Sequence, residues 1–190
     1  MPEPNVRPVT VGLLGTCCYI LTLSGRDDCI IIDPGADAEL IRMRAEGRHV
    51  AAILLTHGHF DHIAAVRDLM DDGVALVIHE LDAPMLGDPE RNASWLVGTR
   101  VTAPEATHLI HEGDQITYAG ITFTVLHTPG HTPGSVCYRV GDALFSGDTR
   151  FHDGYGRTDL PGGSMRELRR SLARLAPLLD EVILCPGHEA

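Results

Sequence analysis

The chain alternates short apolar runs with glycine, proline and aspartate, a pattern typical of β-strands bounded by turns. Between Tyr118 and Ile121, the Ala-Gly step predicts a tight hairpin turn. The apolar runs predict strands over Val9–Leu14, Tyr19–Leu23, Cys29–Asp33, Val50–Thr56, Val74–His79, Gln115–Tyr118, Ile121–Leu126, Val136–Val140, Ala143–Ser146 and Val182–Cys185.

Helical periodicity occupies several of the intervals, most clearly after Ser164. The Ser164 hydroxyl predicts a helix N-cap, and Glu167 predicts a capping box in which its side chain bonds back to the Ser164 amide. Pro177 is expected to shorten or kink this helix. Its apolar face consists of Leu168, Leu172, Leu175 and Leu179. Two more helices are predicted over Ala38–Glu46 and Asp61–Met70, and a short helix with a long loop over Asp82–Pro104.

This order of strands and helices predicts the α/β fold class, with mixed β-sheets covered on the outside by helices. No linker rich in serine, glycine or proline interrupts the chain, so residues 1–190 are predicted to form a single domain. Hydrophobic residues make up 44% of the chain and charged residues 22%, which is enough apolar material for a sizeable core.

The charge balance narrows the choice of partners. The chain has 15 lysines and arginines against 26 aspartates and glutamates, a formal net charge of -11, so a nucleic acid would be repelled. No apolar run approaches the roughly 20 residues of a membrane helix, and Met1–Asn5 lacks the apolar core of a secretory signal. We therefore expect no membrane partner and a cytoplasmic location, and the oligomeric state stays open.

The five cysteines form no CxxC pair and are expected to be buried small apolar residues, not disulfides or metal thiolates.

The histidines are more informative about the chemistry of the site. The apolar run from Val50 leads directly into Thr-His-Gly-His-Phe-Asp-His, where alternate side chains share one face, so His57, His59 and Asp61 point together and His62 joins them. Clustered imidazoles repel one another when protonated, and a divalent cation removes that repulsion.

Three further segments place possible ligands at strand ends. The sequence HTPGHTPG offers His127 or His131, and the chemistry of the residues alone does not choose between them. Asp148 follows the strand ending at Ser146 and could bridge two metals, and His188 follows the strand ending at Cys185.

Together, THGHFDH, HTPGHTPGS, LFSGDT and CPGHE closely resemble the metallo-β-lactamase superfamily, in its hydroxyacylglutathione hydrolase (glyoxalase II)-like branch. GLLGTCCYIL and IIIDPG match its opening strands, and GYGRTDLPGGS matches a stretch of its small single-domain members. The resemblance implies an αβ/βα sandwich of two mixed β-sheets flanked by helices, with the site at one edge between the sheets. It also favours His131 over His127, which is then a structural residue. The implied ligands are His57, His59 and His131 for one metal, Asp61, His62 and His188 for a second, and Asp148 as the bridge.

A nitrogen and oxygen donor set suits two divalent ions, with zinc expected first and iron or manganese as alternatives. Two such ions could hold a hydroxide that attacks a carbonyl polarised by one of them, and Asp61 would orient that hydroxide as well as bind metal. The resemblance thus implies hydrolysis of a small thioester, an S-acylated thiol.

The substrate residues are less defined. Tyr155 and Arg157 are candidate substrate-binding residues, because arginine suits a carboxylate and tyrosine can donate to an oxyanion. The alternative is a glycine-held turn in which Arg157 pairs with Asp159. Larger glyoxalase II enzymes carry a C-terminal helical domain that helps bind glutathione, and we expect that domain to be absent here, which leaves the thiol open. The remaining histidines are interpreted as surface or supporting residues: His49, His79, His108, His111 and His152.

Other activities fit parts of the same pattern. A lactonase or other ester hydrolase would use the same metals. An iron-dependent persulfide dioxygenase, a similar family, would use only His57, His131 and Asp148 around one iron. A β-lactamase is disfavoured because the usual enzymes lack the bridging aspartate and are exported, and a nuclease is disfavoured by the net charge of -11. A non-catalytic metal-binding role is the remaining alternative.

Overall fold

The structure is a computed structural model that describes residues 3–189. Met1, Pro2 and Ala190 lie outside the described residues, and with them part of the segment considered for a secretory signal. The strands are β1 (Asn5–Val11), β2 (Thr16–Thr22), β3 (Asp28–Ile32), β4 (His49–Leu54), β5 (Ala75–His79), β6 (His108–Ile110), β7 (Gln115–Tyr118), β8 (Ile121–His127), β9 (Val136–Val140), β10 (Ala143–Gly147) and β11 (Ile183–Pro186). The α-helices are α1 (Ala38–Arg44), α2 (Phe60–Ile63), α3 (Val66–Leu69) and α4 (Met165–Leu175), and short 3-10 helices cover Ala83–Gly87, Ser94–Val97 and Ala176–Leu178.

The strands form two mixed sheets. The first has six strands in the order β1 to β6, antiparallel through β3 and parallel from β3 onward. The second has five strands in the order β11-β10-β9-β8-β7, with only the β10–β11 pair parallel. None of the helices between residues 3 and 189 is long and apolar enough to cross a membrane.

Alternation along the strands produces three apolar layers. On β2, Tyr19 and Leu21 point into a core between the sheets, where they meet Phe123 and Phe145 of the second sheet. Cys18 and Ile20, which alternate with them on β2, face outward and pack under α1, α2 and α3. Helix α4 covers the outer face of the second sheet through Leu175. The predicted αβ/βα sandwich is therefore confirmed, and all five cysteines are buried as free thiols.

Some element boundaries differ from the prediction for identifiable reasons. The first strand ends at Val11 because Gly12 adopts a left-handed conformation with φ of 67°, and Leu13 and Leu14 lie exposed in the following turn. The predicted helix over Asp61–Met70 is two short helices, because the Ala65 amide donates to Pro34 O at 3.0 Å and leaves the helical ladder.

The irregular segment after Asp82 contains two 3-10 helices and no α-helix. The strand β6 was not predicted, since its three residues are too few to show a period.

The Ala119-Gly120 hairpin turn is confirmed, with positive φ at both residues. The Ser164 cap is also confirmed, with its hydroxyl accepting from the Glu167 amide at 3.3 Å, but the reciprocal bond of the capping box is absent from the described residues because the Ser164 amide donates to Gly130 O.

Candidate metal centre

The predicted ligands come together at one edge of the sandwich, between the two sheets. His57, His59, Asp61 and His62 follow β4, and the others follow strands of the second sheet or lie in its β8–β9 loop. Thr16, the first residue of β2, forms a β-bridge with His188, and the Cys17 amide donates to Gly187 O at 2.8 Å. These bonds join the start of β2, in the first sheet, to the segment after β11, in the second, and fix the loop that carries His188.

The first group consists of His57, His59 and His131, whose ligand atoms all lie within 4.8 Å of one another. All three side chains are buried. His59 Nδ1 lies 2.9 Å from His131 Nε2, and the rings of His57 and His131 have centroids 4.8 Å apart.

The second group consists of Asp61, His62 and His188, again with ligand atoms within 4.8 Å of one another. His188 Nε2 lies 3.2 Å from Asp61 Oδ2 and 3.3 Å from His62 Nε2. Thr16 Oγ1 donates to Asp61 Oδ2 at 3.2 Å, which fixes that carboxylate.

Asp148 lies between the two groups. Its Oδ2 is 3.4 Å from His131 Nε2, in the first group, and its Oδ1 is 3.3 Å from His62 Nε2, in the second. One carboxylate therefore contacts ligand nitrogens of both groups.

Hydrogen bonds at the outer ring nitrogens set the tautomers of these histidines. His131 Nδ1 donates to Arg157 O at 2.7 Å, His62 Nδ1 donates to Asp33 Oδ2 at 2.9 Å, and His188 Nδ1 donates to Leu14 O at 3.2 Å. Each of these bonds leaves the Nε2 lone pair directed into the site, as a metal ligand requires.

The donors in the site fit cations. His57 Nε2 is buried with no hydrogen-bond partner among residues 3–189, while its Nδ1 contacts Thr56 Oγ1 at 3.1 Å. When both rings are neutral and in the tautomers above, the Nε2 lone pairs of His62 and His188 face each other at 3.3 Å. Such contacts are unfavourable for neutral imidazoles alone and favourable around a positive ion.

The electrostatics agree with this interpretation. Burial and the neighbouring imidazoles lower the pKa of His57 well below its usual value and that of His59 to about 3, so both rings are neutral and each keeps a lone pair available for a cation. Burial also opposes charge on His62, but nearby carboxylates, led by Asp61 and Asp148, outweigh it and raise the His62 pKa. Burial likewise opposes the charged form of Asp148, yet His62 and its neighbours hold the Asp148 pKa below its usual value. The carboxylates thus stabilise positive charge at the centre of the cluster.

Two supporting carboxylates were not assigned a role from the sequence. Asp33, 2% exposed, accepts from the Thr56 amide at 2.8 Å and the Thr56 hydroxyl at 2.6 Å, besides orienting His62. Asp82 is fully buried and accepts from the backbone of both histidine loops. The end of β3 could have indicated Asp33, since IIIDPG ends a buried strand, whereas Asp82 lies in the aperiodic segment and gave no signal.

A cavity of about 440 Å³ opens onto the cluster, and His59, Asp61, His131, Asp148 and His188 all line it. A larger depression of about 730 Å³ lies at α1 and contains none of the candidate ligands. The site therefore has room for a small molecule next to the metal ligands.

The other predicted site residues lie outside or at the margin of this cavity. Arg157 lines it, but its guanidinium makes two bonds of 2.7 Å to the Asp159 carboxylate. Tyr155 is half exposed and is not among the residues that line the cavity. His127 is outside the ligand groups, with Nε2 donating to Pro133 O at 2.9 Å and its ring stacked on His79.

Comparisons with known proteins agree with this geometry. Residues 11–188 match the metallo-β-lactamase superfamily. The crystal structure of the BLEG-1 B3 metallo-β-lactamase is 37% identical with a TM-score of 0.92, covering 98% of this chain and 92% of that one. TTHA1623 in a di-iron-bound form is 36% identical with a TM-score of 0.85, covering 97% and 93%. The hydroxyacylglutathione hydrolase of Yersinia pestis is 38% identical over 90% of this chain and 61% of its own length.

The chain belongs to the metallo-β-lactamase superfamily, and its fold and buried donor cluster are those of a hydrolase-type, metal-binding enzyme acting on small molecules.

Proposed function

We propose that this protein is a binuclear metallo-hydrolase that cleaves small S-acyl thioesters. Asp148 is the bridging ligand in this proposal, and zinc is the expected metal. The proposed ligands are His57, His59 and His131 for one ion and Asp61, His62 and His188 for the other.

The observation that carries the proposal is the contact of Asp148 with both ligand groups. A mononuclear iron site that used only His57, His131 and Asp148 would leave the second group of buried and half-buried donors without a partner ion. Two ions give every member of both groups a role. The similarity to a hydroxyacylglutathione hydrolase supports a thioester as the substrate class.

When bound, the two ions supply Lewis acidity and lower the pKa of water toward about 7. The chain contributes the orientation of the donors and a proton acceptor. Thr16 and His188 both contact Oδ2 of Asp61, so Oδ1 is the oxygen left to orient the attacking water and take its proton. Water oxygen adds to the thioester carbonyl carbon, the carbon–sulfur bond breaks, and the proton passes to the thiolate, which gives a carboxylic acid and a thiol.

Two further expectations belong to this proposal. Tyr155 and Arg157 would contribute to substrate binding by movement of their side chains, for Arg157 by release from Asp159. Both ligand groups and the core between the sheets lie within the described residues, which supports one catalytic domain over residues 1–190. The proposal also includes a small-molecule substrate and a cytoplasmic location.

The first test counts metal per chain by elemental analysis and then measures thioester, lactone, β-lactam and persulfide turnover on the same preparation. We expect close to two zinc ions per chain and the highest kcat/KM for a thioester. His59→Ala should lose activity and metal while staying folded, whereas His49→Ala, at an exposed position at the opposite end of β4, should keep both. One iron per chain with oxygen uptake, or faster turnover of a lactone or β-lactam, would overturn the assignment.

A further inference from the structure

A second cavity of about 320 Å³ adjoins the cavity at the metal ligands. The two have Leu14, Phe60, Asp61 and Val97 in common as lining residues. Since Asp61 is itself a proposed ligand, a molecule reacting at the metal centre could extend directly from it into this second space. We call the second space the apolar groove.

The groove is lined almost entirely by apolar atoms. Besides the shared residues, its walls include Val11, Leu13, Ala36, Ala64 and Val101. Leu13 is fully exposed, and Leu14 and Val97 are each 54% exposed. Large apolar side chains grouped in this way beside a reaction site indicate a binding surface, because water contact with them is unfavourable until a ligand covers them.

Positive charge is scarce at both spaces. Among the described residues, Arg157 is the only lysine or arginine that lines either one, and it is paired with Asp159. Apart from the proposed metal ions, a thiol with several carboxylates would therefore find no unpaired lysine or arginine at these walls, and the chain as a whole carries -11. The groove thus offers no side-chain cation for an anionic arm, and its apolar lining favours an uncharged chain.

We infer that the groove binds an apolar arm of the substrate, so that the enzyme selects thioesters with an uncharged hydrocarbon chain over those of a polyanionic thiol. This inference rests on the proposed thioester hydrolase function. The arm could belong to the acyl group or to the thiol, and the two are chemically equivalent for the groove.

The expected selectivity follows from the area buried. Transfer of one methylene from water to a fully apolar site strengthens binding by about fourfold. In a groove that is open on one side, we expect a gain of about two- to fourfold for each methylene. Lengthening an acetyl to a hexanoyl group adds four methylenes, so kcat/KM should rise by roughly 15- to 250-fold.

The kinetic test uses acetyl and hexanoyl thioesters of N-acetylcysteamine, an uncharged thiol, together with the thioacetate of hexanethiol to place the arm on the thiol side. Val97→Glu, at an exposed position on the groove wall, should bring the hexanoyl-to-acetyl ratio of kcat/KM close to one. Leu109→Glu, at an exposed apolar position on β6 outside the groove, is the matched control and should keep the wild-type ratio. Equal kcat/KM for all chain lengths, or a Val97→Glu enzyme with the wild-type ratio, would refute the inference.

A binding test does not depend on turnover. Calorimetric titration with the S-hexyl thioether of N-acetylcysteamine should give a Kd at least tenfold below that of the S-ethyl thioether, and Val97→Glu should remove most of this difference. Equal Kd values for the two thioethers, or a dimer in solution whose dissociation is required before the S-hexyl compound binds, would overturn the inference.

The two tests separate the inference from the function on which it rests. Preferential binding of the S-hexyl compound without hydrolysis of any thioester would contradict the proposed function and leave the groove as a binding site. Hydrolysis of all thioesters at similar rates, with no preference for the S-hexyl compound, would support the proposed function and refute the inference that the groove binds an apolar arm.

Discussion

The buried carboxylate of Asp82 joins the two loops that carry the first ligand group. Its Oδ2 accepts from the Gly58 amide at 3.0 Å and from the Thr132 hydroxyl at 2.6 Å, and its Oδ1 accepts from the Gly134 amide at 2.7 Å. Gly58 lies between His57 and His59, and Thr132 follows His131. Asp82→Asn should therefore weaken both the fold and the metal site.

The magnitude follows from the number of donors. The asparagine oxygen can take the place of one carboxylate oxygen, and the amide NH₂ then faces a backbone N–H in place of the other. At least one buried donor loses its acceptor, at a cost of about 1–3 kcal/mol. Burial raises the pKa of Asp82, and this cost of burying the charge disappears in the variant. We expect a net loss of about 2 kcal/mol in the free energy of unfolding and about tenfold weaker metal binding, since both ligand loops lose an anchor.

Urea unfolding of the metal-free protein measures the first effect, and competition with a chelator of known affinity measures the second. Asp88→Asn is the control, because the Asp88 carboxylate accepts from the Glu90 and Arg91 amides at the surface of the same irregular segment. It should change stability by less than about 0.5 kcal/mol. An Asp82→Asn protein with the wild-type urea midpoint and metal affinity would refute the anchoring role.

Three smaller predictions follow from other contacts. Ser164→Ala removes the α4 cap and should lower stability by about 1 kcal/mol, seen as a lower Tm. Gly130→Ala should destabilise the fold by more than about 2 kcal/mol in urea unfolding, because φ is 143° and a Cβ would overlap the Leu168 backbone. Burial and the stacked His127 lower the pKa of His79 in the folded protein from 6.5 to about 4. As the pH falls, His79 is therefore protonated in the unfolded chain before it is protonated in the folded protein, which favours unfolding. Stability should then decrease by about 1–3 kcal/mol between pH 6.5 and 4 and level off below, and urea unfolding of His79→Gln should show a smaller decrease over the same range.

Local patterns predicted much of this molecule. Strand alternation and the position of the strand ends predicted that His127 or His131, together with Asp148 and His188, would lie at the same edge as the His57 motif. The choice of His131 over His127 came from the family resemblance. The order of elements also predicted mixed sheets covered by helices, and the family resemblance supplied the αβ/βα arrangement of the layers. These features depend on short-range periodicity, which a single sequence displays.

Other features depend on contacts between distant segments. Leu13 and Leu14 continue the apolar pattern of the first strand, and nothing in that pattern distinguishes a buried strand from an exposed turn beside a cavity. Asp82 lies in a segment without periodicity, and its role appears only when its partners at 58, 132 and 134 are folded around it.

The broken helix after His59 shows how the two kinds of information combine. A continuous helix over 61–70 satisfies the local pattern, but the Ala65 amide donates its hydrogen bond to Pro34 O, outside the helix. That bond brings Gly35 so close to the Asp61 carbonyl that any Cβ at 35 would overlap it. The same approach places His62 on Asp33, 2.9 Å away, and so determines which ring nitrogen of His62 faces the metal site. The spacing of the motif therefore supplies the ligand types, and the segment at the end of β3 supplies the orientation of the second half of the motif.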